Sequence, residues 1–295
     1  MSNLLAERIA DGMLRIGEAV DVYLNAIKDD SPIAGSLAER ERKSKYGSEK
    51  LFGVKLATDL IWITIGVPSD NMRSAYRLMR SSAIGGVAVH RYAIFAVLRV
   101  TLEVSALVSW LADPKIDSRT RLVRALTLAE YSRSQRENAE LMREHPNYLD
   151  SLVVLREEIK RSADHYNLQK IKARLATEDG TVEIPKAIQL VGRQFDALAN
   201  THAGDAMSMY AMLSEYSHGN IFATLTGFTP EQRSMTPNVA IGHIAVAANY
   251  ASAALAHAML DFIELMGWDK DRWHELADDA LDDLRIAAEV AKQRV

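Results

Sequence analysis

The segment from Ser234 to Leu260 constrains the fold more than any other, because it contains no Asp, Glu, Lys or Arg. An uncharged stretch of this length can cross a bilayer or run as a helix through a protein interior. Alanine is its most frequent residue, and asparagine, serine and histidine are interspersed. Alanine gains little from transfer into lipid, and the polar side chains oppose that transfer. The segment therefore predicts a buried central helix, and we expect no membrane as a partner.

The remainder of the chain also favours helices. Long segments rich in Ala, Leu, Arg, Glu and Met, which are good helix formers, lie between seven prolines. Sustained alternation of apolar and polar residues is missing except around Lys172–Ile184, where Glu178-Asp179-Gly180 is a typical turn sequence. We predict an all-α protein, a multi-helix bundle of about nine or ten helices with at most one small β-hairpin near 172–184.

Several boundaries can be predicted from single residues. Apolar residues recur every three or four positions from Asn3 to Lys28, which predicts the first helix. Pro68 is interpreted as the start of a new helix, and Pro237 opens the alanine-rich helix that Gly267 closes after Met266. Because no low-complexity linker divides the chain, we expect one domain over 1–295, with 1–66 as a candidate semi-separate N-terminal layer.

Composition excludes several classes of function. The 295 residues include no cysteine, so disulfides, thiolate metal sites and cysteine nucleophiles are excluded. The 35 basic and 39 acidic residues give a formal charge of −4, which argues against a broadly cationic nucleic-acid binder. The first thirty residues mix charges throughout and lack the apolar core of a secretory signal, so we expect a cytoplasmic protein that needs no cofactor.

One polar constellation suggests a site. Arg99 and Glu103 interrupt an apolar helix and, four residues apart, share one face of it. Tyr210, Ser214 and His218 recur at four-residue spacing on a later helix and give it a polar face. If the two faces meet, they surround one pocket. The alternative is a satisfied buried network that sets the register of the helices.

We assign these residues provisional roles from their chemistry. The predicted catalytic residues are Arg99, Glu103, Ser214 and His218, and the predicted binding residues are Tyr210, Glu215 and Asn220. A histidine can titrate near neutral pH, and arginine can stabilise a developing negative charge. No metal site is predicted.

This pattern resembles a family of uncharacterised bacterial helical proteins related to HEPN-like bundles. The shared features are an apolar Arg-x-x-x-Glu helix ending in Trp-Leu-x-Asp and a later Tyr-x-x-x-Ser-Glu-x-x-His-Gly, spanning about residues 87 to 225. The resemblance implies RNA cleavage without a metal, with arginine and histidine near a 2′-hydroxyl. That family has its arginine four to six residues before the histidine, where this chain has Met212 and Leu213, so Arg99 would have to take that role from another helix.

Four further patterns are interpreted as structural. A Glu-x-x-His pair at Glu215 and His218 matches half of a di-iron site, but the chain has no second copy. The acidic run at 278–282 is interpreted as the exposed face of a terminal helix. The arginines between 119 and 143 alternate with glutamates and predict a solvated, salt-bridged face. His243 and His257 are interpreted as histidines tolerated in a buried helix.

Two functions therefore remain open. The first is a non-catalytic helical protein that works through a protein partner or as a homodimer, in bacterial stress or phage defence. The second is a HEPN-like ribonuclease, with RNA as its partner, centred on Arg99, Glu103, Ser214 and His218.

Overall fold

The computed structural model describes residues 2–27, 31–48, 51–85, 91–137, 146–171, 174–177, 180–182, 184–196, 203–217 and 237–293. Within them the chain forms ten helices and three short strands, which confirms the predicted all-α bundle. The helices are α1 Ser2–Ala26, α2 Leu37–Arg42, α3 Lys55–Gly85, α4 Arg91–Ala112, α5 Ser118–Glu137, α6 Pro146–His165, α7 Ala187–Asp196, α8 Ala203–Ser217, α9 Pro237–Met266 and α10 Lys270–Lys292.

A small antiparallel sheet follows α6. Its strands are β1 Gln169–Ile171, β2 Arg174–Thr177 and β3 Gly180–Val182, in the order β1-β2-β3. The pairing of β2 with β3 is the predicted hairpin. The structure adds β1, which the sequence did not indicate because three residues are too few to show an alternating pattern.

The alanine-rich helix α9 lies in the middle of the bundle, as predicted. It packs against α1, α4 and α10, while α4 packs against α3, α7 and α8. Small side chains such as Ala247, Ala251 and Ala254 are fully buried and let neighbouring helices approach closely. Gly267 ends α9 with a φ of 74°, a left-handed conformation that suits glycine at a helix C-terminus.

The helix α4 is the second central element. By length and composition its segment Tyr92–Ala112 could cross a membrane, and 61% of that window is buried inside the protein. Core helices of water-soluble proteins have the same composition.

The prediction that Pro68 begins a new helix is wrong, because α3 continues through it. An internal proline removes one backbone hydrogen bond and costs about 3 kcal/mol. Helix α3 offsets this cost by burying Ile61, Ile65 and Met72 completely in the main core. On the next residue, the buried Ser69 hydroxyl donates to the Gly17 carbonyl of α1 at 2.9 Å.

The buried apolar residues fall into two clusters. The main core takes residues from α1 to α4 and from α7 to α10. A smaller cluster joins α5 and α6 to the segment before α3; its members are Val54, Leu122, Val123, Leu126, Ala129, Ile159, Ala163, Tyr166 and Leu168. The cleft described below lies where α5 meets helices of the main core.

Candidate functional site

Three residues predicted from the sequence come together between α4 and α8. Arg99 Nε donates to Glu103 Oε1 at 2.8 Å, and the Tyr210 hydroxyl donates to the same oxygen at 2.6 Å. The Arg99 guanidinium lies 5.7 Å from the centre of the Tyr210 ring. Burial, together with the hydrogen bond to Glu103, raises the pKa of Tyr210. The carboxylate therefore ties two helices together through partners that already satisfy it.

The other predicted site residues either form no hydrogen bond with this cluster or lie outside the residues that the structure describes. Ser214 is half-buried and Glu215 is exposed, and neither hydrogen-bonds to the Arg99–Glu103–Tyr210 cluster. His218 and Asn220 lie outside the described residues. The acid–base half of the predicted site is therefore untested.

A cleft of about 420 Å³ opens between α4, α5, α7 and α9, beside Trp110; we call it the Trp110 cleft. Its volume is typical of sites for small molecules. Its wall combines a few apolar residues with many polar ones. The polar lining residues are Ser109, Asp113, Lys115, Arg124, Arg193, Gln194, His257, Asp261 and Glu264.

Two arginines of α5 shape this cleft by capping the C-terminus of α4. Arg121 donates to the Leu111 carbonyl and, at 2.9 Å, to the Asp113 carbonyl. Arg124 donates to the Trp110 carbonyl, and its guanidinium lies 5.0 Å from the centre of the Trp110 ring. The last carbonyls of a helix have no partner within it, and cations there also complement the helix dipole.

Arg121 is also half of a buried ion pair with Glu41 of α2. Its Nε lies 3.1 and 2.9 Å from the two carboxylate oxygens, and the side chains are 0% and 3% exposed. Burial raises the pKa of Glu41, although the guanidinium opposes that shift. Arg133 and Glu130 form a second buried pair within α5. The prediction of a solvated arginine face is therefore wrong for Arg121 and Arg133, because their partners are inside the protein.

His257 and Asp261 of α9 form a pair at the wall of the cleft. His257 Nδ1 lies 3.0 Å from Asp261 Oδ2, one helical turn later, and the two side chains are 17% and 15% exposed. The Ser109 hydroxyl lies 3.4 Å from the same nitrogen. His257 Nε2 forms no hydrogen bond or ion pair with any described residue. The imidazole therefore has one nitrogen held by the protein and one without a protein partner, in a side chain that lines a cleft.

Gln194 of α7 connects this pair to the interior. Its Nε2 donates to Ser109 Oγ at 2.9 Å and to the Ala254 carbonyl at 2.8 Å. The carbonyl contact requires a donor and so determines which way the amide is turned. Gln194 is 4% exposed, and its Oε1 has no hydrogen-bond partner in the structure. An unsatisfied buried acceptor is costly and is uncommon in folded proteins.

The carboxylates lining the cleft all have partners. The pairs are Asp113 with Arg124 at 3.7 Å, Asp261 with His257 at 3.0 Å, and Glu264 with Lys270 at 2.9 Å. Their charges are thus balanced locally or held by a hydrogen bond.

Two cations of the cleft lack such partners. Arg193 and Lys115 are exposed, and neither side chain forms a hydrogen bond or ion pair with any described residue. Burial lowers the pKa of Arg124 to about 10; Asp113 opposes this shift, and repulsion from Arg121 and then Arg193 adds to it. The charge that remains to be balanced in the cleft is therefore positive.

A second hollow of about 450 Å³ adjoins the Trp110 cleft. The two share Trp110, Arg124 and Arg193, and the second adds Lys186, an exposed lysine with no side-chain partner among the described residues. The positive surplus thus continues past Trp110.

The described residues contain no group of three or more histidines or acidic residues arranged to hold a metal ion. In the acidic run of α10, Asp278 contacts His274 at 3.1 Å and Asp282 contacts Arg285 at 3.2 Å. Both aspartates are well exposed, in agreement with the predicted solvated face.

Sequence reasoning missed the His257–Asp261 pair. The local signal was the four-residue spacing of a histidine and the aspartate that ends the uncharged stretch. Nothing in α9 itself shows that Arg193 of α7 and Lys115, in the segment after α4, line the same cleft.

No protein-family model, curated protein or solved structure matches this chain.

Proposed function

We propose that this protein binds a small phosphate-bearing molecule in the Trp110 cleft. One observation carries the proposal: every carboxylate lining the cleft has a partner, whereas Arg193 and Lys115 have none among the described residues. A ligand with negative charge would supply the missing counter-charge.

The type of cation favours phosphate. A guanidinium presents donors in a planar fork that fits two oxygens of a phosphate or carboxylate at once. Arg193 has its fork available, while Arg124 is held against Trp110 and contributes positive charge from a fixed position. Lys115 and Lys186 can also attract a phosphate, because an ammonium group binds phosphate as a point charge.

The size of the cleft favours a small molecule. At about 420 Å³ it lies within the range of sites that enclose most of a small ligand's surface. Its adjoining hollow would accommodate a second phosphate or a substituent beyond Trp110. A nucleotide or a pyrophosphate has these dimensions and charges.

Two functions expected from the sequence stay predictions. A protein that acts through a partner or as a homodimer in stress or phage defence is compatible with ligand binding, because a bound ligand can shift an association equilibrium. RNA cleavage centred on Arg99 and His218 would use an arginine that already donates to Glu103, and His218 lies outside the described residues. Since RNA carries phosphates, it is also a competing ligand in the binding test.

Isothermal titration calorimetry with pyrophosphate and adenosine monophosphate tests the proposal. Arg193→Gln should weaken binding by about tenfold or more, because a hydrogen bond to a charged group contributes about 1.5–3 kcal/mol. Arg136→Gln is the matched control, since Arg136 is an exposed arginine of α5 with no side-chain partner among the described residues.

Three results would contradict the proposal. The first is that neither compound binds. The second is that Arg193→Gln and Arg136→Gln bind equally well. The third is that a short single-stranded RNA binds far more tightly than both compounds, which would make the ligand a polymer.

A further inference from the structure

The described residues include two histidine–aspartate pairs with the same spacing in different surroundings. His257–Asp261 lines the Trp110 cleft with side chains that are 17% and 15% exposed. His274–Asp278, on α10, has a similar contact of 3.1 Å and side chains that are 48% and 59% exposed. The comparison separates what the spacing produces on any helix from what the cleft adds.

The cleft adds a third group that determines the role of each nitrogen. Both Asp261 and Ser109 approach His257 Nδ1, at 3.0 and 3.4 Å. A carboxylate is a stronger acceptor than a hydroxyl, so Nδ1 carries a proton and donates it to Asp261. Neutral His257 then has its lone pair on Nε2, the nitrogen that has no hydrogen-bond partner among the described residues.

This tautomer also excludes Ser109 as the nucleophile. To activate a serine, the imidazole must accept the hydroxyl proton at a nitrogen with a free lone pair. Ser109 lies beside Nδ1, whose proton is committed to Asp261, and its oxygen already accepts a hydrogen bond from Gln194. The group that loses a proton to His257 must therefore come from solvent or from a ligand in the cleft.

We propose that His257 is the acid–base residue of a hydrolytic site in the Trp110 cleft, acting on a phosphate ester or anhydride, with Asp261 as its positioning residue. This inference rests on the phosphate binding proposed above, because Arg193 and Arg124 line the same cleft as the imidazole. General acid–base catalysis of this kind contributes about 10²–10⁴ in rate.

The reaction balances without a further reagent. His257 Nε2 removes a proton from water as the water oxygen forms a bond to phosphorus. The bond from phosphorus to the leaving-group oxygen breaks, and that oxygen keeps the electron pair. The imidazolium then returns its proton to the leaving group or to solvent. The guanidiniums of Arg193 and Arg124 stabilise the extra negative charge on the phosphate oxygens in the transition state.

The site favours esters with a weakly basic leaving group. His257 is the only imidazole lining the cleft among the described residues, and the three carboxylates there are already engaged. A single acid–base group must serve both the attacking and the departing oxygen. A phosphoanhydride or an aryl phosphate needs no early proton on its leaving group, so it suits this arrangement best.

The experiment measures hydrolysis of p-nitrophenyl phosphate and bis(p-nitrophenyl) phosphate by the purified 295-residue chain. His257→Gln should lower kcat by about 100-fold or more. His274→Gln, the matched control in the exposed pair, should keep the wild-type kcat. Asp261→Asn should lower kcat by about tenfold or more and leave KM unchanged, because it disturbs the tautomer and not the phosphate contacts.

Chemical rescue distinguishes catalysis from structure. Added imidazole should restore activity to His257→Ala, since it can occupy the vacated space and accept the proton, and it should not stimulate His274→Ala. Circular dichroism of each variant checks that the fold is kept. The inference is overturned if wild type hydrolyses neither compound, if His257→Gln and His274→Gln lose the same activity, or if imidazole does not restore activity to a folded His257→Ala.

The outcome also separates this inference from the proposed function. Calorimetric binding of pyrophosphate by wild type and by His257→Gln, with no hydrolysis by wild type, overturns the catalytic role alone. Absence of binding by wild type overturns both.

Discussion

Replacing Arg121 with methionine should destabilise the protein strongly and in a pH-dependent way. The substitution leaves the Glu41 carboxylate buried without its counter-charge and removes donors from the Leu111 and Asp113 carbonyls. Removing one partner of a buried ion pair costs about 3–5 kcal/mol. Methionine is long and flexible enough to fill most of the vacated space, so the electrostatic part of the loss should dominate.

The size of the loss in stability depends on how the buried Glu41 carboxylate is neutralised when Arg121 is absent. It can take up a proton, and doing so at about pH 7 from its ordinary pKa of 4.5 costs about 3.4 kcal/mol, since each unit corresponds to 1.36 kcal/mol. At about pH 5 the same step costs only about 0.7 kcal/mol. The two orphaned carbonyls add about 1–3 kcal/mol at either pH.

The direction of the pH dependence is that expected for a carboxyl whose pKa is higher in the folded than in the unfolded protein. The folded variant binds a proton that the unfolded chain releases above about pH 4.5, so its stability falls as the pH rises. Because the pKa of Glu41 is already raised in wild type, we expect Arg121→Met to lose up to about 2.7 kcal/mol more at about pH 7 than at about pH 5, relative to wild type. Adding Glu41→Gln should remove most of this difference, because the double variant buries no unpaired charge.

Urea denaturation followed by circular dichroism at the two pH values measures these free energies. Two results would refute the reasoning. One is a loss below about 1 kcal/mol at about pH 7. The other is a larger loss that is equal at both pH values and that Glu41→Gln does not relieve, since the cost would then arise from packing alone.

Three further predictions concern other parts of the bundle. Gly267→Ala should lower the free energy of unfolding by at least about 1 kcal/mol, because φ is 74° and the added Cβ would lie 2.7 Å from Ser36 Cβ; thermal denaturation would measure it. Burial lowers the pKa of His243 below its ordinary 6.5, so wild type should lose stability as the pH falls below about 6.5, and urea curves of His243→Gln should show a flatter pH dependence. Tyr210→Phe should cost about 1 kcal/mol in urea, since Glu103 loses one of its donors, and an unchanged stability would show that the contact is not formed in solution.

Patterns that act within one helix predicted much of this fold. The uncharged alanine-rich stretch predicted α9 with its start at Pro237 and its end before Gly267. These signals succeed because burial and capping depend on residues close together in sequence. The prediction of a helix start at Pro68 was wrong because residues distant in sequence determine whether α3 continues. The local cost of the proline is real, but the burial of Ile61 and Ile65 against other helices outweighs it.

Charged residues were harder to place, because their environment depends on distant partners. Arg99 and Glu103 were paired correctly from their spacing, since both lie on one helix. Arg121 was assigned to a solvated face, yet its partner Glu41 lies eighty residues earlier. No pattern within α5 distinguishes Arg121 from the exposed Arg136. The difference arises only when the fold brings Glu41 of α2 to Arg121.

The same dependence on packing explains why His257 was taken for a structural histidine. A histidine in an apolar helix most often has its hydrogen bonds satisfied inside the protein, and Asp261 does satisfy Nδ1. What changes its chemistry is the end of α4, where Arg121 and Arg124 hold the last carbonyls and place Trp110 and Asp113 at the cleft. Because that geometry depends on the buried Arg121–Glu41 pair, Arg121→Met should weaken pyrophosphate binding even where the protein remains folded.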